Sequence, residues 1–181
     1  RIYGNQRKIV GVNGNIGVAG DNIAQKVLRI NADGTIVTNK NQGNEGIEIK
    51  GKEFTQNTST YTEGNLTIDA DKVTLKGNGT QAGNILITGD LENEVNIYSG
   101  NDINIGKGLV NKSGQIVAER NISINGKTDN KDLLYAKNNI TIGKELNNTG
   151  NIQSNGSIKT GGNTTNTGKI LSEDELEING K

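Results

Sequence analysis

Asn65-Leu66-Thr67-Ile68 is the stretch on which the fold turns. Leu66 and Ile68 form an i, i+2 aliphatic pair around a polar residue, the mark of a short strand with one inward face. The pair returns along the whole chain. Backwards, its place is held by Ile47 with Ile49, by Leu28 with Ile30, and by Ile9. Forwards, it is held by Ile85 with Ile87, Ile103 with Ile105, Ile122 with Ile124, Ile140 with Ile142, Ile158, and Leu176 with Ile178. The intervals are 19, 19, 19, 19, 18, 19, 18, 18 and 18 residues, and the residue two positions on is Ile in eight of the ten steps, Gly11 and Thr160 being the exceptions. Ile, Leu and Val make up about a quarter of the chain, so ten aliphatics in ten steps exceed what composition supplies.

A strand that comes back every 18–19 residues has completed one circuit of a coil. Coils stacked at about 4.8 Å pair their backbones with those above and below, and ten of them make a rod about 48 Å long. The fold expected is therefore all-β: a single-stranded parallel β-helix of about ten coils with no helix required. Other columns run beside the main one. In the first half they are Ile16, Thr35, Phe54 and Val73, and Val18, Val37, Gln56 and Leu75; in the second half, Ile97, Ile116, Leu134, Ile152 and Ile170. From Leu134 onward the inward positions fall every six residues, through Ile140, Leu146, Ile152, Ile158, Thr164 and Ile170 to Leu176. Strict hexads also fit a left-handed β-helix in this second half. The departures from hexads in the first half, and the recurring Ile pairs, favour right-handed coils.

Turn chemistry punctuates the strands. Asn13-Gly14, Asp33-Gly34, Asn78-Gly79, Asn125-Gly126, Asn155-Gly156 and Asn179-Gly180 are dipeptides that tolerate positive φ. Asn65, Asn84, Asn121 and Asn139, with Asp102 in the same place, precede the main strand and are expected to hydrogen-bond along the rod and to satisfy turn backbone.

The composition agrees with a rod and excludes much else. Of 181 residues, 29 are Asn and 26 Gly; 30% are hydrophobic and 3% aromatic; His, Cys, Pro, Met and Trp are all absent. Without large side chains an ordinary globular core is hard to build. Twenty Lys+Arg balance twenty Asp+Glu, so there is no basic surface of the kind that nucleic acid or an anionic membrane needs. No apolar run approaches the roughly 18 residues of a membrane span. The start at Arg1, with neither Met nor a charged-then-apolar leader, suggests an internal fragment of a longer chain.

The segments Leu109-Val-Asn-Lys-Ser-Gly-Gln-Ile116, Leu146-Asn-Asn-Thr-Gly-Asn-Ile152 and Thr164-Thr-Asn-Thr-Gly-Lys-Ile170, each followed by a strand of the Asn-Ile-Thr-Ile type, resemble the filamentous-haemagglutinin family of two-partner secretion exoproteins. The resemblance covers most of residues 64–181, and residues 1–63 only through their period. It implies a right-handed β-helix exported to the bacterial cell surface. It also implies a role in adhesion or in presenting a toxin, an outer-membrane secretion transporter as partner, and a receptor on a host or neighbouring cell reached through the parent protein. The Pro-containing motifs of the family's secretion domain have no counterpart, which places residues 1–181 in the repetitive shaft as one solenoid segment, with 1–63 the less regular coils.

Catalytic chemistry finds little to work with. Lack of His and Cys removes Ser–His and Cys–His nucleophiles and the common zinc sites. The carboxylate clusters Asp69/Asp71, Asp90/Glu92/Glu94 and Glu173/Asp174/Glu175/Glu177 suit Ca²⁺ or a carbohydrate-cleaving enzyme, but read more simply as solvated turns and outward strand positions. Gly46–Glu53 mimics a phosphate-binding loop, yet Glu53 replaces the Mg²⁺-holding hydroxyl, and Ile47 and Ile49 belong to the repeat. Sequons at Asn65, Asn111, Asn121 and Asn139 are read as coincidence in a chain this rich in Asn, Ser and Thr. No enzyme activity, cofactor or metal is expected. The alternative is a carbohydrate-binding or carbohydrate-cleaving β-helix.

One surface feature stands apart. If Ile97, Ile116, Leu134 and Ile170 point inward, then Tyr98, Val117, Tyr135 and Leu171 point out, with Gln153 interrupting them. Such a strip either supports the sheet by side-chain packing or forms a lateral contact for a sister rod, another part of the parent protein, or a glycan.

Overall fold

The computed structural model describes residues 4–11 and 14–180, and every regular element in them is a β-strand. Ten strands stack in parallel into one sheet: Arg7–Gly11, Val27–Ala32, Gly46–Lys50, Asn65–Asp69, Ile85–Ile87, Ile103–Ile105, Ile122–Ile124, Ile140–Ile142, Ile158–Thr160 and Leu176–Ile178. This first face carries the Leu66/Ile68 column. Leu66 lies opposite Ile47 and Ile85, and Ile103 opposite Ile122, in register. Ten strands are joined by about nine turns of solenoid, a span of about 43 Å between the end strands at 4.8 Å per coil.

The rest of each circuit belongs to a second sheet of 15 strands, which forks. Its first three members, Ile16–Ala24, Thr35–Gly43 and Glu53–Tyr61, are nine residues long. Glu53–Tyr61 then pairs with two strands, Lys72–Leu75 and Gly79–Ala82. From there each coil has a second face, as in Leu109–Asn111, and a third, as in Gln115–Ala118. Gly77 lies at the fork with φ +99, and a Cβ on it would sit 2.4 Å from the carbonyl oxygens of Asn57 and Thr58. Only glycine meets both demands.

Three sequence readings are corrected by the register. Ile9 lies opposite Ile30, and Arg7 takes the place opposite Leu28. The offset between the first two circuits falls from 21 residues at Ile9/Ile30 to 20 at Ile16/Ile36 and 19 at Asp21/Lys40. One of the two extra residues is absorbed by the irregularity between Val18 and Asp21. For the same reason Ile36, not Thr35, lies between Ile16 and Phe54, and Thr38, not Val37, lies between Val18 and Gln56. The column Ile97, Ile116, Leu134, Ile152 and Ile170 stands as read.

Glycine in the turns serves a purpose other than the expected one. Among the described glycines positive φ occurs at Gly77, Gly79 and Gly114, so of the five dipeptides that lie wholly within the described residues only Asn78-Gly79 has it at its glycine; Asn13 lies outside the described residues. Gly126 and Gly156 are instead required by crowding between stacked turns. A Cβ would lie 2.6 Å from the Gly108 nitrogen and 2.4 Å from the Asn138 oxygen respectively.

Two amide ladders run along the rod. The outer one is the expected column. The Oδ1 atoms of Asn65, Asn84, Asp102, Asn121 and Asn139 accept the backbone N–H of Asn84, Asp102, Asn121, Asn139 and Ser157 at 2.9–3.2 Å. The inner ladder lies at the corner between the second and third faces. Asn93, Asn111, Asn130 and Asn148 are fully buried, and each Nδ2 donates to the next Oδ1, ending on Asn166, at 2.9–3.0 Å. Each Nδ2 also donates to turn carbonyls, as Asn148 does to Gly150 at 3.1 Å and Lys169 at 3.1 Å. Backbone that the turns would otherwise leave buried and unpaired is thereby satisfied.

Candidate contact surface

After Ile16, no connection between described strands exceeds three residues, so no loop is available to build a walled pocket. Function must be read from the faces. Outward positions of the first face form the row Lys8, Arg29, Glu48, Thr67, Leu86, Asn104, Ser123, Thr141, Lys159 and Glu177, half of it charged. Arg29 and Glu48 pair at 2.8 Å, Lys159 and Glu177 at 3.9 Å. Such exposed pairs contribute little to stability but mark a solvated face.

The second face holds a shallow groove of about 450 Å³ lined by charges of both signs: Lys72, Asp90, Glu92, Lys127 and Asp129. Two of these carboxylates have other work. Asp90 Oδ1 accepts the Gly108 N–H at 2.7 Å, and Glu92 pairs with Lys112, whose hydrogen bond lowers the carboxyl's pKa. A carboxyl held ionised is the opposite of the raised general acid that glycoside cleavage uses. In the other clusters Asp69 accepts the Thr88 hydroxyl at 2.9 Å and Glu177 accepts the Asn179 amide at 3.0 Å. Among the described residues no three carboxylates converge as a metal site. Gly46–Lys50 is a strand of the first face with Ile47 and Ile49 buried, not a loop opening a helix. Of the sequons, Asn111 is buried in the inner ladder, while Asn65, Asn121 and Asn139 spend their Oδ1 atoms on the outer one.

The third face is different. Tyr98 lies opposite Val117, Val117 opposite Tyr135, Tyr135 opposite Gln153, and Gln153 opposite Leu171, so the strip read from the sequence is one register row. Tyr98 and Leu171 are each 38% exposed. The structure extends the row upward through Gln81, Tyr61 and Gln42 to Ile23. Tyr61 had been hidden by spacing: it precedes Gln81 by 20 residues and Gln81 precedes Tyr98 by 17, neither of them the repeat interval. Only their sum, close to two coils, carried the signal.

Nine rungs of this row hold no charged residue, in a chain that is 22% charged. Charge stands beside the row instead. Tyr98 donates its hydroxyl to Glu119 Oε1 at 2.9 Å, and Glu119 pairs with Lys137. The bond to Glu119 raises the Tyr98 pKa; the bonds from Lys137 and then Tyr98 lower that of Glu119. Between Tyr61 and Tyr98 lies a groove of about 300 Å³, lined also by Ser59, Asn78, Gly79, Gln81 and Asn96 and containing no charged side chain.

Comparison of the chain with protein-family models, curated proteins and solved structures finds no match.

Proposed function

We propose that the chain is a non-catalytic structural shaft, part of a secreted or surface-displayed bacterial adhesin, which holds an adhesive or toxic module away from the cell. The observation that carries this reading is the run of coils after Ile16 joined by turns of at most three residues. Enzymes on β-solenoids need a cleft deep enough to exclude water and to hold a substrate. Three flat faces supply stiffness and length instead. The resemblance of Leu109–Ile116, Leu146–Ile152 and Thr164–Ile170 to filamentous-haemagglutinin repeats supports the cell-surface setting, the secretion transporter and the receptor reached through the parent protein.

The test is incubation of the purified chain with neutral and acidic polysaccharides, followed by an assay for new reducing ends. No cleavage is expected from any of them. Release of reducing ends that disappears in the variant Glu92→Gln would replace the shaft with a carbohydrate-cleaving enzyme working from the second-face groove.

A further inference from the structure

We propose that the third face binds a neutral, extended polysaccharide, seated in the groove between Tyr61 and Tyr98 with its chain running along the rod axis. This goes beyond the shaft reading, since it makes the rod itself adhesive.

Charge points to the ligand. A groove with no charged lining residue, in a row with none over nine rungs, has nothing to offer an anionic glycan, a nucleic acid or a lipid headgroup. The groups present are aromatic rings, amides and hydroxyls. A pyranose shows apolar C–H faces, which pack on rings, and hydroxyls, which bond amides. In the groove the order along the axis is ring, amide, ring: Tyr61, Gln81, Tyr98.

Spacing points to orientation. Tyr61 and Tyr98 are two coils apart, about 9.6 Å, and Tyr135 follows two coils later. Two linked hexoses in an extended chain have a comparable length, so successive disaccharides lying along the axis meet successive rings. The Tyr98 ring is already held by its hydroxyl bond to Glu119, which reduces the ordering cost on binding.

A second rod fits the row less well. Eight coil steps by the width of two residues cover about 38 by 7 Å, or roughly 270 Å², about a third of the ~800 Å² per partner in a standard protein interface.

The experiment is an NMR titration of the chain with cellohexaose and with chitohexaose, with a heparin hexasaccharide as the anionic control, at low and high salt. One or both neutral oligosaccharides are expected to shift amides of residues 59–61, 79–81 and 96–98, with affinity unchanged by salt. Tyr61→Ala combined with Tyr98→Ala should weaken binding roughly tenfold or more. Gln81→Lys, an outward change that leaves the core alone, should also weaken it and serves if the double variant unfolds. The proposal is overturned by absence of shifts with both neutral probes, by shifts centred elsewhere, or by binding that both variants leave intact. Preference for heparin that fades with salt, or sedimentation showing self-association through this row, overturns it equally. None of these failures touches the shaft reading, which only cleavage of a glycan would overturn.

Discussion

Asn147 and Asn148 are neighbours of one type with opposite fates. Asn147 faces solvent, whereas Asn148 is fully buried and holds Asn166 and the carbonyls of Gly150 and Lys169 while receiving Asn130. Its Nδ2 has two hydrogens for three acceptors, so one hydrogen is shared. Asn148→Ala removes a fully buried amide with four hydrogen bonds, one received from Asn130 and three given to part-buried acceptors, and should cost about 2–3 kcal/mol, while Asn147→Ala should stay within about 0.5 kcal/mol, as read from urea unfolding midpoints. Equal losses would show that the inner ladder does not stabilise the rod. The same logic applies to Ile124, which is 1% exposed between Ile105 and Ile142. Ile124→Asp buries an unpaired charge in an interior one coil wide and should cost about 4 kcal/mol or more, against about 0.5 kcal/mol for Lys127→Ser in the exposed turn that follows. The resemblance segments Leu109–Ile116 and Leu146–Ile152 each carry an inner Asn at the third position, but the column expected from spacing was only the outer one, at Asn65, Asn84, Asn121 and Asn139. What the letters did not say is that these Asn face in while Asn65 and Asn139 stand outside.

At the scale of strands, the third face links a row of side chains to a charge network that titrates. Glu119 is shifted down, first by Lys137 and then by Tyr98, so its contribution is present above the usual carboxylate range and is lost as pH falls through the lowered value. Tyr98 is shifted up by Glu119, and Lys137 is also shifted up by Glu119; their contributions are present at neutral pH and are lost as pH rises through the raised values. The network is therefore intact across neutral pH and opens at both extremes. NMR titration should place the Glu119 carboxyl below an unperturbed Glu, and Glu119→Gln should bring the Tyr98 phenol back down toward its ordinary value. An unmoved Tyr98 in that variant would mean that the bond does not hold the ring in solution. All three groups are exposed, so the melting temperature should scarcely respond.

As a whole molecule the rod is a stack in which each coil touches only its neighbours. Removal of one complete 18-residue coil, residues 122–139, brings Ile140 onto Ile103, Asn148 onto Asn111 and Ile152 onto Ile116, restoring every inner row. That variant should fold with a far-ultraviolet spectrum like the parent's and only a modestly lower melting temperature. Removal of the six residues 128–133 keeps the hexad phase of the apolar positions but takes out Asn130 and places a third-face strand where a second-face strand belongs. It should lose several kcal/mol relative to the full-coil deletion. Similar melting of the two deletions would show that apolar phase alone maintains the stack. The C-terminal coil marks the dependence on a neighbour: Leu176 and Ile178 are 45% and 50% exposed, while Ile158, one coil before, is fully buried.

The sequence by itself determined that the chain is all-β, that it coils about every 18 residues, and which aliphatics line the interior from Leu28 on in the first face and from Ile97 on in the third. Those features are local alternation repeated many times, and repetition averages out the ambiguity of any single strand. The tertiary structure alone decided the pairings of the first coils, where Ile36 and Thr38 displace Thr35 and Val37, and the entry of Tyr61 into the aromatic row. The reason is physical. A nine-residue strand can absorb an extra residue in a bulge without leaving the sheet, so the interval on one side of the bulge differs from that on the other. Which residues then face each other is settled by what the interior will accept across coils, an interaction between positions about twenty residues apart.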